Sequence, residues 1–489
     1  MPMTIAADHA SIMCFAFTGI GPFMPQPPEV MDLAERTRIE EVIEGRARLS
    51  AAQALDLYRH ASLHDLGRWA SRMTDRMHGN KVRTYIIDRN INYTNVCSAK
   101  CTFCAFRRDA EDADSYTLNT GELHAKIREC VDIGGTQILL QGGMHPDLPI
   151  SFYEDMLRGI KAAFPTLHVH AFSPPEFVEF VAVFDIDGFP TPGPRKSEEL
   201  PHDVFIEKLR AIMRRLRDAG LDSLPGGGGE ILVPHVRRRI GSSKASGRQW
   251  LDVMAVAHES GMFTSGTMMF GHIEGVADRI THMKMIRDTQ DDAMRHFRPG
   301  RFVSFISWPF QPDNTPLGRV AQYDYESGEP FAGDTLADLV FKGEVNTDDK
   351  AACGLAVPDA GKQLRLAGAS EYLRMQAISR LFFDNIHSIG ASWVTMGPKI
   401  GQLGLFFGAN DMGSVMMEEN VVSAAGTTYC LNAASICHLI RDAGFTPAQR
   451  DNTYQFLKVH ESDDMNSPDL QVTDWSAHRP AASAFGGAN

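Results

Sequence analysis

Three cysteines close together in the sequence are the residues whose type and spacing most directly imply chemistry. Cys97, Cys101 and Cys104 are separated by three and two residues, so one loop can present three thiolates to a small volume. Thiolates are soft ligands that bind iron–sulfur clusters and zinc. A closed structural site of either kind has four ligands, whereas three leave one metal position open for chemistry. The spacing therefore predicts a reactive metal centre. A zinc site completed by a distant Cys or His is the alternative.

The composition restricts the class of protein that carries this loop. Eight cysteines in 489 residues are too few for a disulfide scaffold, so we expect a reducing compartment, the cytoplasm. With 48 Lys and Arg against 61 Asp and Glu, the formal net charge is −13. This charge argues against a general nucleic-acid-binding protein, because phosphate contacts require clustered basic residues. No membrane span is expected, since no apolar run approaches the required length of roughly 18–20 residues.

The elements that must position the cysteine loop alternate between strand-like and helix-like segments. An amphipathic helix is predicted over Ser50–Gly79, with Ser50 as its cap and Gly79 as its end. A β-rich run, Thr84–Val96, leads directly into the cysteine loop, and seven or eight β-then-α repeats follow. This order predicts an α/β fold, a TIM-type barrel with an N-terminal helical segment and surface insertions. Barrel enzymes carry their sites at the carboxyl ends of the strands.

Changes of composition divide the chain into segments. We expect a loose extension over residues 1–28, a helical segment over 29–82, the barrel over 83–460 and a weakly ordered tail over 461–489. Residues 185–203 are rich in proline, which excludes a helix or an inner strand. Residues 321–368 include an acidic stretch that suits a solvated loop. Both are expected to be insertions in the barrel.

The cysteine loop, with Phe103 just before its last cysteine, resembles that of the radical S-adenosylmethionine (SAM) enzymes. In that family the three cysteines hold three irons of a 4Fe–4S cluster. The fourth iron is chelated by the amino and carboxylate groups of SAM, which is cleaved to methionine and a 5′-deoxyadenosyl radical. The resemblance therefore implies both cofactors and a barrel of the radical SAM kind, in which the cofactor performs the difficult chemistry and the protein positions it.

Further segments resemble one branch of that family, which makes menaquinone by the futalosine route and the deazaflavin chromophore. They are residues 92–97, 141–146, 173–176, 222–228, 268–274 and 308–312. Three activities compete in this branch: cyclisation of dehypoxanthine futalosine, aminofutalosine synthesis, and the tyrosine-using step of deazaflavin synthesis. Residues 391–399 and 408–420 resemble the first group most closely. The non-enzyme alternative is a zinc-binding adaptor.

The resemblance also implies roles around the cofactor. Gly142 and Gly143 follow a strand end, where the family pairs backbone groups with the methionyl amino group; an ordinary turn is the alternative. Ser173 and Glu176 are expected to hydrogen-bond SAM, unless Glu176 is only an exposed helix cap. Phe103 is expected to pack on the adenine or to keep water from the cluster.

A glycine run, Gly226–Gly229, is not expected to bind phosphate. It lacks the Lys-Ser/Thr ending of a P-loop and the helix context of a dinucleotide-binding loop. We expect a tight loop at the barrel mouth, with Glu230 facing the substrate or the cofactor.

Several polar residues are predicted at strand ends or in the loops after them. Together they predict a pocket that hydrogen-bonds a sugar, as a nucleoside-like small substrate requires. The substrate-binding candidates are His272, Trp308, Gln311 and Asn410. His145 or Asp411 is expected to accept the proton that ring closure releases. Each residue alone is equally consistent with an ordinary hydrogen-bonded side chain.

Basic residues flank the cysteine loop, namely Lys100, Arg107 and Arg108. An acidic electron donor such as flavodoxin or ferredoxin is the partner that the family implies, and these residues are candidates to receive it. An ordinary solvated face is the alternative.

Overall fold

Ten strands and fifteen α-helices alternate along the residues that the computed structural model describes, which are 33–241, 244–319 and 364–461. The strands are β1 (Val82–Ile86), β2 (Asp88–Asn92), β3 (Gln137–Gln141), β4 (His168–Ala171), β5 (Thr264–Phe270), β6 (Phe302–Pro309), β7 (Ser388–Gly390), β8 (Asp411–Ser414), β9 (Thr446–Arg450) and β10 (Phe456–Val459). The helices are α1 (Leu33–Ile43), α2 (Ala51–His60), α3 (Leu63–His78), α4 (Thr120–Asp132), α5 (Ile150–Ala163), α6 (Pro174–Val183), α7 (His202–Ala219), α8 (Pro234–Gly241), α9 (Gly247–Glu259), α10 (Val276–Arg295), α11 (Ala369–Phe382), α12 (Trp393–Met396), α13 (Pro398–Gly404), α14 (Val421–Ala424) and α15 (Ala433–Asp442).

β1 and β2 together form one long first strand, on which the barrel closes. β2, β3 and β4 pair in parallel, and a bridge between His170 and Ser223 adds a fourth strand position. A bridge from Leu224 to Thr264 connects that position to β5. β5, β6, β7 and β8 continue the parallel ladder, and β8 pairs with β1, which completes an eight-stranded ring. The predicted α/β barrel is confirmed.

Side chains alternate between the helical layer and the barrel interior. In β3, Ile138 and Leu140 are fully buried in the apolar core that the strands share with the surrounding helices. Gln137, Leu139 and Gln141 occupy the opposite face, because successive strand residues point to opposite sides. The outer face of the strand is therefore apolar, and its inner face is mostly polar.

The helix predicted over Ser50–Gly79 is two helices in the structure. Ser50 caps α2, as predicted. Ser62 then starts α3, accepting a hydrogen bond from the amide of Asp65 at 3.0 Å. This second capping serine interrupts the continuous helix that the apolar spacing favours. Gly79 ends α3 with a φ of +65°, the left-handed backbone that favours glycine.

A buried ion pair closes the amino end of the barrel. β9 pairs with β1 on the edge opposite β8, and its last residue, Arg450, reaches Asp411 at the start of β8. The guanidinium donates to both carboxylate oxygens, at 2.6 and 2.9 Å, and both side chains are buried. The Thr84 hydroxyl donates to the same carboxylate at 2.5 Å, and the Tyr454 ring centroid lies 4.0 Å from the guanidinium. The pair thus joins β1, β8 and β9.

Three predicted segments lie wholly or largely outside the described residues: 1–28, 321–368 and 461–489. The proline-rich residues 185–203 contain one 3-10 turn, Ser197–Glu199, before α7 begins. The buried ammonium of Lys208 in α7 donates to the carbonyl of Pro190 at 2.7 Å, which fastens this segment to the helical layer. Within the ranges described, no helix is both long and apolar enough to cross a membrane.

Arg450→Met is expected to destabilise the protein by about 3–5 kcal/mol, because it leaves the Asp411 carboxylate buried without its counter-charge. The measurement is the midpoint of unfolding in denaturant, followed by circular dichroism. Arg72→Met is the control, since Arg72 pairs with Glu40 at 2.7 Å on the surface, where such pairs contribute at most about 1 kcal/mol. Equal shifts for both variants would contradict a special role for the buried pair.

Candidate active site

Backbone hydrogen bonds hold the cysteine loop against neighbouring elements. The amide of Ser98 donates to the carbonyl of Met144, just after β3, at 2.8 Å. The amide of Thr102 donates to the carbonyl of Ile240, in α8, at 2.8 Å. The three thiols are half-buried in this loop. The fold therefore presents them at the carboxyl end of the first strand, where a barrel enzyme carries its site.

The surroundings of the thiols fit a 4Fe–4S cluster. Burial raises the pKa of the Cys97 thiol to about 11 and that of Cys101 to about 12, although the Lys244 ammonium lowers the second. Both thiols are thus protonated without metal, and iron binding must displace their protons. Among the described residues, no three Cys, His, Asp or Glu side chains converge on one metal ion. A cubane cluster does not require this, because it places each thiolate on a different iron.

Close packing explains both glycines after β3. A Cβ on Gly143 would lie 2.0 Å from the carbonyl oxygen of Val96, directly against the start of the cysteine loop. A Cβ on Gly142 would lie 2.4 Å from the Tyr93 ring. Both glycines therefore allow the strand end to approach the loop. Their pairing with the methionyl amino group stays a prediction.

Glu176 links three strand ends and is buried, not exposed. Its Oε1 accepts hydrogen bonds from the Tyr93 hydroxyl at 2.7 Å and the Gly142 amide at 3.2 Å. Its Oε2 accepts from the amide and hydroxyl of Ser173, at 2.6 and 2.7 Å, which caps α6. Burial raises the carboxyl pKa to about 7 against these donors. Both oxygens are engaged by protein groups, so Glu176 positions the strand ends; its contact with SAM stays a prediction.

A salt bridge connects Glu230 to the cysteine loop. The Lys244 ammonium lies 2.9 and 3.0 Å from the two carboxylate oxygens of Glu230 and 4.9 Å from the centroid of the Phe103 ring. Arg237, which is buried, donates to two carbonyls of the glycine run 226–229, at 2.9 and 3.1 Å. The run is thus held by an arginine of the chain itself. Contacts of Phe103 and Glu230 with a cofactor stay predictions.

Three of the other predicted site residues lie at the carboxyl end. Trp308 of β6 is half-buried and faces inward, because Phe305, on the opposite face, packs in the helical layer. Gln311 follows β6 and donates to the carbonyl of Pro309 at 3.1 Å. His145 follows β3, and burial lowers its pKa. Its Nδ1 accepts from a backbone amide at 3.2 Å, which leaves Nε2 as a donor in the neutral ring and does not favour the predicted role as base.

The predicted position of Asn410 and Asp411 at a strand's carboxyl end is wrong. Asn410 precedes β8 and Asp411 begins it, so both lie at the amino end of the barrel. Asn410 accepts from the buried guanidinium of Arg380 at 2.8 Å, and Asp411 is engaged by Arg450. Neither residue faces the cysteine loop. The short run of β8, with its glycine, carried no strand signal, so sequence reasoning placed these residues after a strand.

His272 follows β5, as predicted, and is held there by neighbouring groups. It is fully buried; its Nε2 lies 3.1 Å from the carbonyl oxygen of Met269 and its Nδ1 lies 3.0 Å from a carboxylate oxygen of Glu274. Glu274 also accepts from Arg279 at 2.7 Å. This buried network supports the loop after β5, and a contact of His272 with the substrate stays a prediction.

The barrel interior between the cysteine loop and the amino-end ion pair is lined by polar side chains. Cross-strand neighbours in register share a face of the sheet, which places several amides, hydroxyls and imidazoles inside. These are Asn90, Asn92, Gln137, Gln141, His168, His170, Ser223, Ser304 and Ser388. Barrels of this architecture usually fill with Val, Ile and Leu. A polar interior beneath a reactive centre suits a ligand that carries many hydroxyl groups.

Sequence reasoning missed several of these groups. Glu419, in the loop after β8, is buried, and its carboxylate accepts a hydrogen bond from the side-chain amide of Asn90 at 3.0 Å. Lys244 and Arg237 stand in a basic stretch that resembles a solvated helix face. The available signal was alternation: polar residues at every second position of an otherwise apolar run, as with His168 and His170 in β4.

Acidic residues neutralise part of the positive charge that flanks the cysteine loop. Arg107 pairs with Asp109, and Arg108 pairs with Asp114 at 2.7 Å, while Lys100 is exposed. The positive charge available to an acidic electron donor is smaller than the sequence suggests, and docking beside the cysteine loop stays a prediction.

Gly143→Ala is expected to lower the iron bound per chain severalfold, because the added Cβ must displace the Val96 carbonyl and with it Cys97. The measurement is iron and sulfide content after anaerobic reconstitution. Gly159→Ala is the matched control, since a Cβ there meets only His124 Nε2, at an ordinary 3.7 Å. Unchanged iron content in Gly143→Ala would show that the loop tolerates the shift.

Two family models match the chain. The radical SAM superfamily model matches residues 91–286, and a model described as the CofH/MqnC C-terminal region matches residues 360–463. The first therefore includes the cysteine loop, and the second includes α11, β7, β8 and β9.

Curated relatives cover most of the chain. Two proteins named cyclic dehypoxanthine futalosine synthase, from Halalkalibacterium halodurans and Streptomyces coelicolor, are each 36% identical; the alignments cover 88% and 89% of this chain and 97% and 93% of theirs. A 5-amino-6-(D-ribitylamino)uracil–L-tyrosine 4-hydroxyphenyl transferase from Methanopyrus kandleri is 35% identical over 77% of this chain and 85% of its own. An aminodeoxyfutalosine synthase from Thermus thermophilus is 32% identical over 86% and 95%.

A solved structure of methylornithine synthase aligns with a TM-score of 0.54 and 16% identity, over 84% of this chain and 97% of that one. This likeness supports the barrel fold alone. The cysteine loop, the family models and relatives above 30% identity agree with one another. The chain therefore belongs to the radical SAM superfamily of enzymes, in the CofH/MqnC group.

Proposed function

We propose that this enzyme converts dehypoxanthine futalosine to its cyclic form in menaquinone biosynthesis. A hydrogen atom leaves the ribose, and the sugar carbon bonds to the attached benzoate ring. The observation that carries the proposal is the polar barrel interior beneath the cysteine loop, which suits a sugar-bearing substrate. The two relatives of that name, aligned over nearly their whole length, support the same reaction.

Cys97, Cys101 and Cys104 would hold the 4Fe–4S cluster, which together with SAM supplies the 5′-deoxyadenosyl radical that takes the ribose hydrogen. The remaining work belongs to the chain itself. Inward amides such as Asn92 and Gln141 hydrogen-bond the sugar hydroxyls, and Trp308 packs against the aromatic ring. A rigid barrel holds the sugar carbon and the ring carbon at contact distance, which lowers the entropic part of the barrier. A flavodoxin or ferredoxin is the proposed reductant.

Two other activities remain candidates because relatives named for them are almost as similar to this chain in sequence as the two cyclising relatives. The relatives named for tyrosine-dependent transfer and for aminodeoxyfutalosine synthesis are 35% and 32% identical, against 36%. Residues 408–420 resemble the cyclising group, and in the structure they form β8 and the loop that brings Glu419 to the interior wall. The resemblance thus falls on a wall that would contact the substrate.

The test is product mass after anaerobic incubation of the reconstituted enzyme with SAM, a reductant and dehypoxanthine futalosine. The expected product is two hydrogens lighter than the substrate, with one 5′-deoxyadenosine released for each. An adenosylated product from an enolpyruvyl benzoate, or tyrosine coupled to a ribityl uracil, would instead assign one of the other activities.

Cys104→Ala is expected to abolish the brown colour, the bound iron and turnover, because three thiolates are the least that the cluster requires. Cys130→Ala is the matched control: Cys130 is buried in α4, and its thiol donates to the Gln137 carbonyl at 3.6 Å. It is expected to retain iron and turnover. A colourless wild-type protein that binds zinc would overturn the assignment.

A further inference from the structure

Two histidines and a serine form a hydrogen-bonded chain inside the barrel. His170 Nδ1 and His168 Nε2 each lie 2.6 Å from Ser223 Oγ. The histidines share one face of β4, and Val169 between them belongs to the outer apolar core, so both rings face the interior. Ser223 stands opposite His170 in the register of the barrel.

Because Ser223 bonds Nδ1 of His170 and Nε2 of His168, its one hydroxyl forces the same tautomer on the two rings. Ser223 has a single proton, so it donates to one ring and accepts an N–H from the other. The two outer ring nitrogens, His170 Nε2 and His168 Nδ1, then carry one proton between them. A proton that enters at one end of the chain can therefore leave from the other.

The electrostatic surroundings favour neutral rings. Burial lowers the pKa of both histidines, and for His170 the neighbouring His168 and Arg450 lower it further. The charged groups that face His168 are Asp222, Lys161 and Asp451. His170 is buried, whereas His168 begins β4 and is partly exposed. The chain thus runs from the interior toward the amino end of the barrel.

We propose that His170, Ser223 and His168 relay to the amino end the proton that ring closure releases. The inference rests on the proposed function, in which the aromatic carbon that forms the new bond loses its hydrogen as a proton. The matching electron passes to a one-electron acceptor, the class to which an oxidised iron–sulfur centre belongs.

In the relay, the aromatic proton binds His170 Nε2. The Nδ1 proton of His170 moves to Ser223 Oγ, the hydroxyl proton moves to His168 Nε2, and His168 Nδ1 releases its proton. Each passage inverts both tautomers, and exchange with water restores them. The two bases predicted from the sequence are less able to accept this proton than His170. Asp411 is paired with Arg450, and the Nδ1 atom of His145 already accepts a hydrogen bond.

Ser223→Ala breaks the relay and leaves both histidines in place. Because hydrogen abstraction precedes proton loss, the variant is expected to form 5′-deoxyadenosine, but at least about tenfold less cyclic product per 5′-deoxyadenosine than wild type. Ser223→Thr restores the hydroxyl and is expected to restore the ratio. Ser379→Ala is the control, since Ser379 is a buried serine of α11 whose hydroxyl donates to the Met375 carbonyl at 2.8 Å in the helical layer, outside the relay. A wild-type ratio in Ser223→Ala, or an equal loss in Ser379→Ala, would overturn the relay.

A second measurement needs no cofactor. Nitrogen NMR of histidine-labelled full-length protein, assigned with His168→Gln and His170→Gln, is expected to show the same tautomer for the two rings in wild type, both Nδ1–H or both Nε2–H, and loss of this correlation in Ser223→Ala. Opposite tautomers in wild type would overturn the relay. If wild type forms no cyclic product, the proposed function itself fails, an outcome distinct from a failure of the relay.

Discussion

The barrel depends on one strand that forms hydrogen bonds along both edges. Residues 82–92 pair with β8 and β9 through β1, and with β3 through β2. The cysteine loop begins shortly after this strand, and Gly143, at the end of β3, packs against the loop's first residues. The backbone hydrogen bonds that close the ring therefore also hold the thiols in place. Cluster binding and barrel closure are consequences of the same pairing.

Ion pairs stand at the two ends of the barrel, and the interior between them is polar and hydrogen-bonded. At the amino end, Asp411 and Arg450 neutralise each other; at the carboxyl end, Glu230 is paired with Lys244. Between them, amides, hydroxyls and imidazoles line the wall with two buried carboxyl groups, Asp88 and Glu419, whose pKa values are raised by burial. Burying an unpaired charge costs much more free energy than burying a hydrogen-bonded neutral group. Hydrogen bonds from the side-chain amides of Gln137 and Asn90 to these carboxyls reduce that cost.

Much of the chemistry was predictable because its signals are local. The three cysteines, Phe103 and the two glycines after β3 stand in short segments whose residue types reflect direct constraints. The capping Ser50 and the terminal Gly79 were also predictable, since caps act over three or four residues. The prediction of one continuous helix between these residues was wrong, because apolar spacing does not reveal the second helix cap at Ser62.

The sequence by itself determined the fold class, the cysteine loop and the family to which the chain belongs. Only the tertiary structure decided that Asn410 and Asp411 lie at the amino end, that Glu176 is engaged by four donors, and that His168, His170 and Ser223 meet inside the barrel. The physical reason is the distance along the chain over which each interaction acts. Spacing and capping act between near neighbours, whereas the ion pairs and hydrogen bonds of the interior join strands far apart in the chain, whose register is set by the closed ring.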